Sequence, residues 1–177
     1  ICAGIMAQKL GLPIKHFVAA TNVNDTVLNY LKDGVYTPKP SKATISNAMD
    51  VGNPSNFIRI QELFNNNIEE LKNHFSSFSY SDESTKKAMK EIYAKSNYVS
   101  DPHGAVGYLG CKEFLKKTPN AQCIFLETAH PVKFLDVVEE TLDVKVVIPS
   151  QIEAVLGKEK KFQKINTYEE LKLYLNL

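Results

Sequence analysis

Ile14-Lys-His-Phe-Val-Ala-Ala20 decides the fold, because this short apolar run lies between two stretches with helical spacing. Ahead of it, Ile1, Ile5 and Leu10 recur at near-helical intervals, and Gly11 and Pro13 end that helix. After it, Asn24-Asp25-Thr26 supplies caps for a helix through Lys32, which Asp33-Gly34 closes. A run of seven residues with Phe17 and Val18 at its centre suits a buried strand. Helix, strand, helix is the repeating unit of a layered α/β protein.

The same alternation continues along the chain. Pro38 and Pro40 force Tyr36–Ser41 to be extended, and Ala43–Ser46 is a candidate short strand. Asp50–Asn56 is rich in turn formers, and Pro54 marks a helix start that runs through Phe57, Ile60 and Phe64. Asn65-Asn66-Asn67 interrupts that helix before Ile68–His74. Phe75–Tyr80 alternates Phe and Ser as a strand does, and Ser81 caps a helix to about Lys95. Asp101-Pro102 opens a further helix to Lys117, whose Gly104, Ala105, Gly107 and Gly110 require another backbone close by. Gln122–Glu127 reads as a strand, Pro131–Leu142 as a helix and Val144–Ile148 as a second apolar run. Lys158–Lys164 is a charged connector, and Thr167 with Glu170 forms a capping box on a closing helix. The expected fold is α/β: three layers, with a mostly parallel sheet and helices on both faces.

Composition narrows the function. Lys and Arg number 21 against 20 Asp and Glu, for a formal charge of +1, so neither a basic nucleic-acid surface nor an acidic tail is expected. The apolar runs are too short to cross a bilayer. Cys2, Cys111 and Cys123 are few, odd in number and far apart, which suggests reduced thiols in a cytoplasmic protein. His16, His74, His103 and His130 form no metal-binding spacing, so no metal is expected. The chain opens directly on an apolar helix, and it reads as cut from something longer.

In layered α/β sheets, ligands collect beyond the carboxyl ends of the strands. That rule selects Thr21 and Asn22 after the first strand, Ser46, Asn47 and Asp50 after the second, and Thr128 after the strand at 122–127. Asp50, Asn53 and Asn56 suit either ligand contact or turn and cap chemistry. Thr128 alone could be a cap ahead of Pro131, Asp101 suits the cap of the helix at Pro102, and His103 and His130 suit structural hydrogen bonding.

The string Thr44-Ile-Ser-Asn-Ala-Met-Asp-Val-Gly-Asn-Pro-Ser-Asn-Phe57 closely resembles the threonine synthase family. Phe17-Val-Ala-Ala-Thr-Asn-Val-Asn-Asp25, Asp101-Pro-His-Gly-Ala-Val-Gly107 and Glu127-Thr-Ala-His-Pro131 resemble it in the same order, and the likeness fades over the last thirty residues. The resemblance implies a tryptophan-synthase-β-like fold in which residues 1–177 are the carboxyl-terminal part of the large domain that binds pyridoxal phosphate. It implies conversion of O-phosphohomoserine and water to threonine and phosphate. The family's coenzyme lysine and its Gly-Asn-Phe-Gly-Asn phosphate loop are not found in this chain. No catalytic residue is therefore assigned here, the missing amino-terminal segment of the same protein is the expected partner, and the chain alone is expected to be inactive. Thr128 resembles the hydroxyl residue that hydrogen-bonds the coenzyme's pyridine nitrogen. The amino end of the helix at 1–10 resembles the one that faces the coenzyme phosphate. A phospho-lyase of the same chemistry and a catalytically silent α/β module are the alternatives.

Overall fold

The computed structural model describes residues 1–176. The chain divides into two compact units, Ile1–Val146 and a small one from Val147 onward. The large unit contains α1 (Cys2–Lys9), β1 (Phe17–Thr21), α2 (Thr26–Asp33), α3 (Phe57–Leu63), α4 (Ile68–His74), β2 (Phe75–Ser79), α5 (Asp82–Ser96), α6 (Pro102–Lys117) and α7 (Leu135–Leu142). The small unit holds α8 (Ser150–Leu156) and α9 (Tyr168–Leu175).

β1 and β2 pair in parallel, from Phe17 opposite Phe75 to Thr21 opposite Ser79. Parallel pairing needs a long crossover, and α2, α3 and α4 supply it. Side chains alternate across the sheet, so each face has its own partners. Phe17, Ala19 and Phe75 point into a core with Ile5, Tyr30, Phe57, Ile60, Phe64 and Leu71 from α1 to α4 and the turn after α3. Burying each large member stabilises by roughly 1.5–3 kcal/mol. On the other face α6 crosses β1, and a Cβ added at Gly110 would lie 2.7 Å from Ala20 Cβ and 3.3 Å from Val18 Cγ1. Behind it α5, α6 and α7 enclose Ala88, Met89, Ile92, Ala105 and Val138. The architecture is thus α/β, a parallel sheet with helices on both faces.

Helix limits follow their capping chemistry. Ser81, Asp101 and Thr167 accept from Ser84 N, His103 N and Glu170 N, and Gly34 closes α2 in the left-handed region at φ 75°. Asn65 and Asn66 take positive φ and break the helix before Asn67 caps α4 through Glu69 N and Glu70 N. The helix expected from Pro54 begins at Phe57, and the one expected from Pro131 starts as a 3₁₀ turn, Pro131–Phe134. No sequence signal was assigned to α8.

Three expected strands form no ladder among the described residues. Ala43–Ser46 is a loop, because the Thr44 amide is taken by the Asp50 carboxylate rather than by a neighbouring strand. Residues 121–128 are extended, with Ala121, Cys123, Phe125 and Glu127 half-buried while Gln122, Ile124, Leu126 and Thr128 are exposed. Their inner side lies on α6, where Phe125 Cβ would stand 3.2 Å from a Cβ at Gly107. Val144–Ile148 is likewise extended and alternating without a ladder. Period-two alternation in a sequence reports burial of one face; it does not supply the backbone partner that makes a strand.

Candidate functional site

β1 ends at Thr21, and Asn22 follows at its carboxyl end, only 6% exposed. Its side-chain amide stands 3.0 Å from each of Thr44 Oγ1, Ser46 Oγ and Asp50 Oδ1. Two N–H groups meet three acceptors, so at least one hydrogen is shared. Asn22 Oδ1 accepts from the Asn24 backbone N–H at 2.9 Å and from Asn24 Nδ2 at 2.8 Å. Asp50 in turn accepts from Thr44 Oγ1 at 2.6 Å and from the Thr44 backbone at 3.0 Å. The loop 44–50 is therefore wound around one carboxylate and fastened to the end of β1 by one amide.

A second cluster joins this one through His103. Its Nε2 lies 3.2 Å from the Ser46 carbonyl oxygen, and its Nδ1 lies 2.7 Å from Asp101 Oδ1. Both partners accept, so the ring satisfies both only when it carries two N–H groups. Asp101, 1% exposed, also accepts from the His103 backbone at 2.8 Å as the cap of α6. Glu127 lies across the first turn of α6, where a Cβ at Gly104 would overlap its carboxyl group. Burial and then the neighbouring Asp101 push the Glu127 carboxyl up to about 8. Burial would raise Asp101 as well, but the hydrogen bonds from the His103 ring and backbone, with the neighbouring Glu127, outweigh it and hold that carboxyl below its ordinary value.

The structure thus gathers Asn22, Ser46 and Asp50 from the sequence-selected residues and separates the others. Thr21 Oγ1 donates to the Phe78 carbonyl at 3.3 Å and belongs to the sheet. Asn47 is exposed at the start of the 3₁₀ turn Asn47–Met49, and Asn53 is exposed and accepts from the Tyr36 hydroxyl at 3.0 Å. Thr128 is exposed directly after Glu127. It does not cap the turn at Pro131, because His130 Nδ1 accepts from Val132 N at 3.1 Å and fills that role. Thr44, Asn24 and Glu127 were not among the site residues expected from the sequence. The available signal for Glu127 was a lone acid ending an otherwise apolar strand pattern. Among the described residues no group of three or more His, Cys, Asp or Glu side chains is placed to hold a metal ion. No helix there is long and apolar enough to cross a membrane.

Helices on both faces of a parallel pair, with a polar cluster beyond the carboxyl end of β1, define a layered α/β domain of the ligand-binding kind. Within that class the chain is similar to threonine synthases over part of their length. The family model "Threonine synthase, C-terminal" matches residues 104–174. The chain is 41% identical over 177 residues to threonine synthase of Buchnera aphidicola subsp. Acyrthosiphon pisum, covering 99% of this chain and 40% of that protein. It is 43% identical over 152 residues to threonine synthase of Escherichia coli K12, covering 86% of this chain and 35% of that one. The crystal structure of the Escherichia coli enzyme matches with a TM-score of 0.80 at 43% identity, over 86% of this chain and 35% of that chain. The pyridoxal-phosphate-bound threonine synthase of Brucella melitensis matches with a TM-score of 0.81 at 25% identity, over 98% of this chain and 42% of that chain. The chain therefore spans 35–40% of the length of these two curated relatives.

Proposed function

We propose that this chain works as the carboxyl-terminal part of a pyridoxal-phosphate-dependent threonine synthase, converting O-phosphohomoserine and water to threonine and phosphate in the cytoplasm. The observation that carries this reading is the match in both sequence and fold to the Escherichia coli enzyme, 43% identity at a TM-score of 0.80. The remainder of the active site, including the coenzyme lysine, is assigned to a segment outside these residues. Taken alone, the chain should not turn over substrate.

Two features fit the coenzyme. The Thr128 hydroxyl is exposed at the end of an extended segment, and the nearby turn takes its cap from His130. It is free to donate to a ring nitrogen. The amino end of α1 has no side-chain cap, so its first N–H groups are available to an anionic phosphate. When bound, the coenzyme supplies the electron sink for proton removal beside the substrate amino group. Thr128 would orient the ring by a neutral hydrogen bond, which leaves the nitrogen unprotonated where a carboxylate would protonate it. The Asn22, Thr44, Ser46 and Asp50 cluster would hold the neighbouring wall at the strand end.

The test uses the full-length enzyme. Wild type should form threonine and phosphate one for one from O-phosphohomoserine. Thr128→Val should weaken pyridoxal phosphate binding by roughly 1–3 kcal/mol, the worth of one buried hydrogen bond, while Thr128→Ser keeps most of it. Phosphate without threonine would reject the reaction, and equal coenzyme affinity in all three proteins would reject the role of Thr128.

A further inference from the structure

Glu127 stands in an unusual setting. Both of its carboxyl oxygens, together with Asp101 Oδ2, are buried without a hydrogen-bond donor among the described residues. Among the described residues the hydrogen bonds to Asp101 fall on its other oxygen, from the His103 ring and backbone. Ionised together, the two carboxylates would leave three buried acceptor atoms without a donor, which is unfavourable. A single proton on Glu127 removes the conflict, because it makes Glu127 a donor and leaves the negative charge on Asp101, where the α6 amino end and His103 favour it. The titratable groups around the pair are His103, which faces Asp101, and Tyr98, whose hydroxyl is raised by burial and then by the Glu127 and Asp101 charges. The pair is also locked in place from below, since Gly104 is the residue type that lets the Glu127 carboxyl lie on the first turn of α6.

We propose that Glu127 is a neutral carboxylic acid that donates its proton to Asp101, and that this bond makes it the positioning residue for Thr128. The backbone of 121–128 has no ladder partner among the described residues, so its end is fixed by its side chains. Phe125 anchors it on α6 beside Gly107, and the Glu127–Asp101 bond anchors the last residue before Thr128. Through Asp101 and His103 the same bond reaches the Ser46 carbonyl, so the strand end and the 44–50 loop share one chain of hydrogen bonds. The positioning claim rests on the assignment of Thr128 to the coenzyme; the neutral acid does not. Burial and Asp101 set the Glu127 carboxyl to about 8, well above its ordinary value. The folded protein therefore binds the extra proton between the ordinary carboxyl range and about pH 8, and the arrangement is lost as pH rises through that point.

Infrared difference spectra of the chain test the acid, and coenzyme titrations of the full-length enzyme test the positioning. At pH 7 the wild-type chain should show a carboxylic-acid C=O stretch that disappears on raising the pH past about 8 and is absent from Glu127→Gln. Its absence from wild type at pH 7 overturns the proposal without need of any variant. In the full-length enzyme, affinity for pyridoxal phosphate should fall between pH 7 and 9 by roughly tenfold, the factor for loss of one hydrogen bond. Glu127→Gln keeps a neutral N–H donor at every pH, so its affinity should stay close to wild type at pH 7 and avoid that part of the fall. A fall of equal size in both proteins overturns the positioning role. If Thr128→Val binds coenzyme like wild type while the infrared band persists, the assignment of Thr128 has failed and the positioning role goes with it.

Discussion

Replacing Asn22 by Asp exchanges one non-hydrogen atom, nitrogen for oxygen, and changes almost no volume, yet it should be among the more damaging substitutions in this protein. The Asn22 amide nitrogen lies 3.0 Å from Asp50 Oδ1. An oxygen there would bring two carboxylates into contact in a site where Asn22 is 6% and Ser46 3% exposed. At an effective dielectric of about 20, two unit charges some 4 Å apart repel by roughly 4 kcal/mol. The alternative is for the new pair to keep one proton. Holding a proton at pH 7 on a carboxyl that ordinarily titrates near 4 costs about 1.4 kcal/mol per unit over about three units, or roughly 4 kcal/mol. Both routes give the same ceiling, and rotation of the Ser46 hydroxyl to donate lowers it to about 3 kcal/mol. The signature is in the pH dependence. The folded variant binds a proton that the unfolded chain has lost, so its deficit grows from about pH 4 upward and should shrink to roughly 1.5 kcal/mol at pH 5. Asn22→Ala removes the same donor without adding charge and should cost about 1–3 kcal/mol at both pH values. Urea unfolding curves of the three proteins at pH 5 and pH 7 separate the cases. A deficit for Asn22→Asp that is equal at the two pH values would refute the reasoning, because it would mean that no second charge is felt at Asp50.

Gly110→Ala sets helix propensity against packing: alanine favours the helix by about 1 kcal/mol, while a Cβ at 2.7 Å from Ala20 Cβ adds overpacking of roughly 1–3 kcal/mol. Thermal unfolding should show a net loss that Ala20→Gly relieves, and a gain in stability would show that α6 does not sit tightly on β1. Glu91 accepts from Lys112 at 2.6 Å, Lys95 at 2.6 Å and Tyr108 at 2.9 Å, and the Lys112, Lys95 and Tyr108 hydrogen bonds hold its carboxyl at about 2. A depressed carboxyl stabilises above its ordinary range and loses that effect as pH falls towards 2, so Glu91→Gln should be less stable than wild type at pH 7 and approach it near pH 2. An unchanged difference across that range would argue against the α5–α6 bridge.

Local chemistry made most of the elements legible from the sequence. Gly34, Asn67, Ser81, Asp101 and Thr167 end or begin helices through bonds that depend only on residues within one turn, so reading them needs no tertiary knowledge. The strand-end rule likewise pointed to Asn22, Ser46 and Asp50. It could not tell that Thr21 would spend its hydroxyl within the sheet or that Asn53 would turn to Tyr36, because those partners lie 57 and 17 residues away. The same distance limit explains the three strands without ladders. Alternation at 121–128 was visible, but pairing is a property of two segments and not of one. The acid pair was the least accessible feature, since Asp101 and Glu127 meet only when the extended segment folds onto α6 at Gly104. A sequence fixes which groups are present and how they bond to near neighbours; burial beside a second carboxyl, which decides where the proton resides, is set by tertiary packing alone.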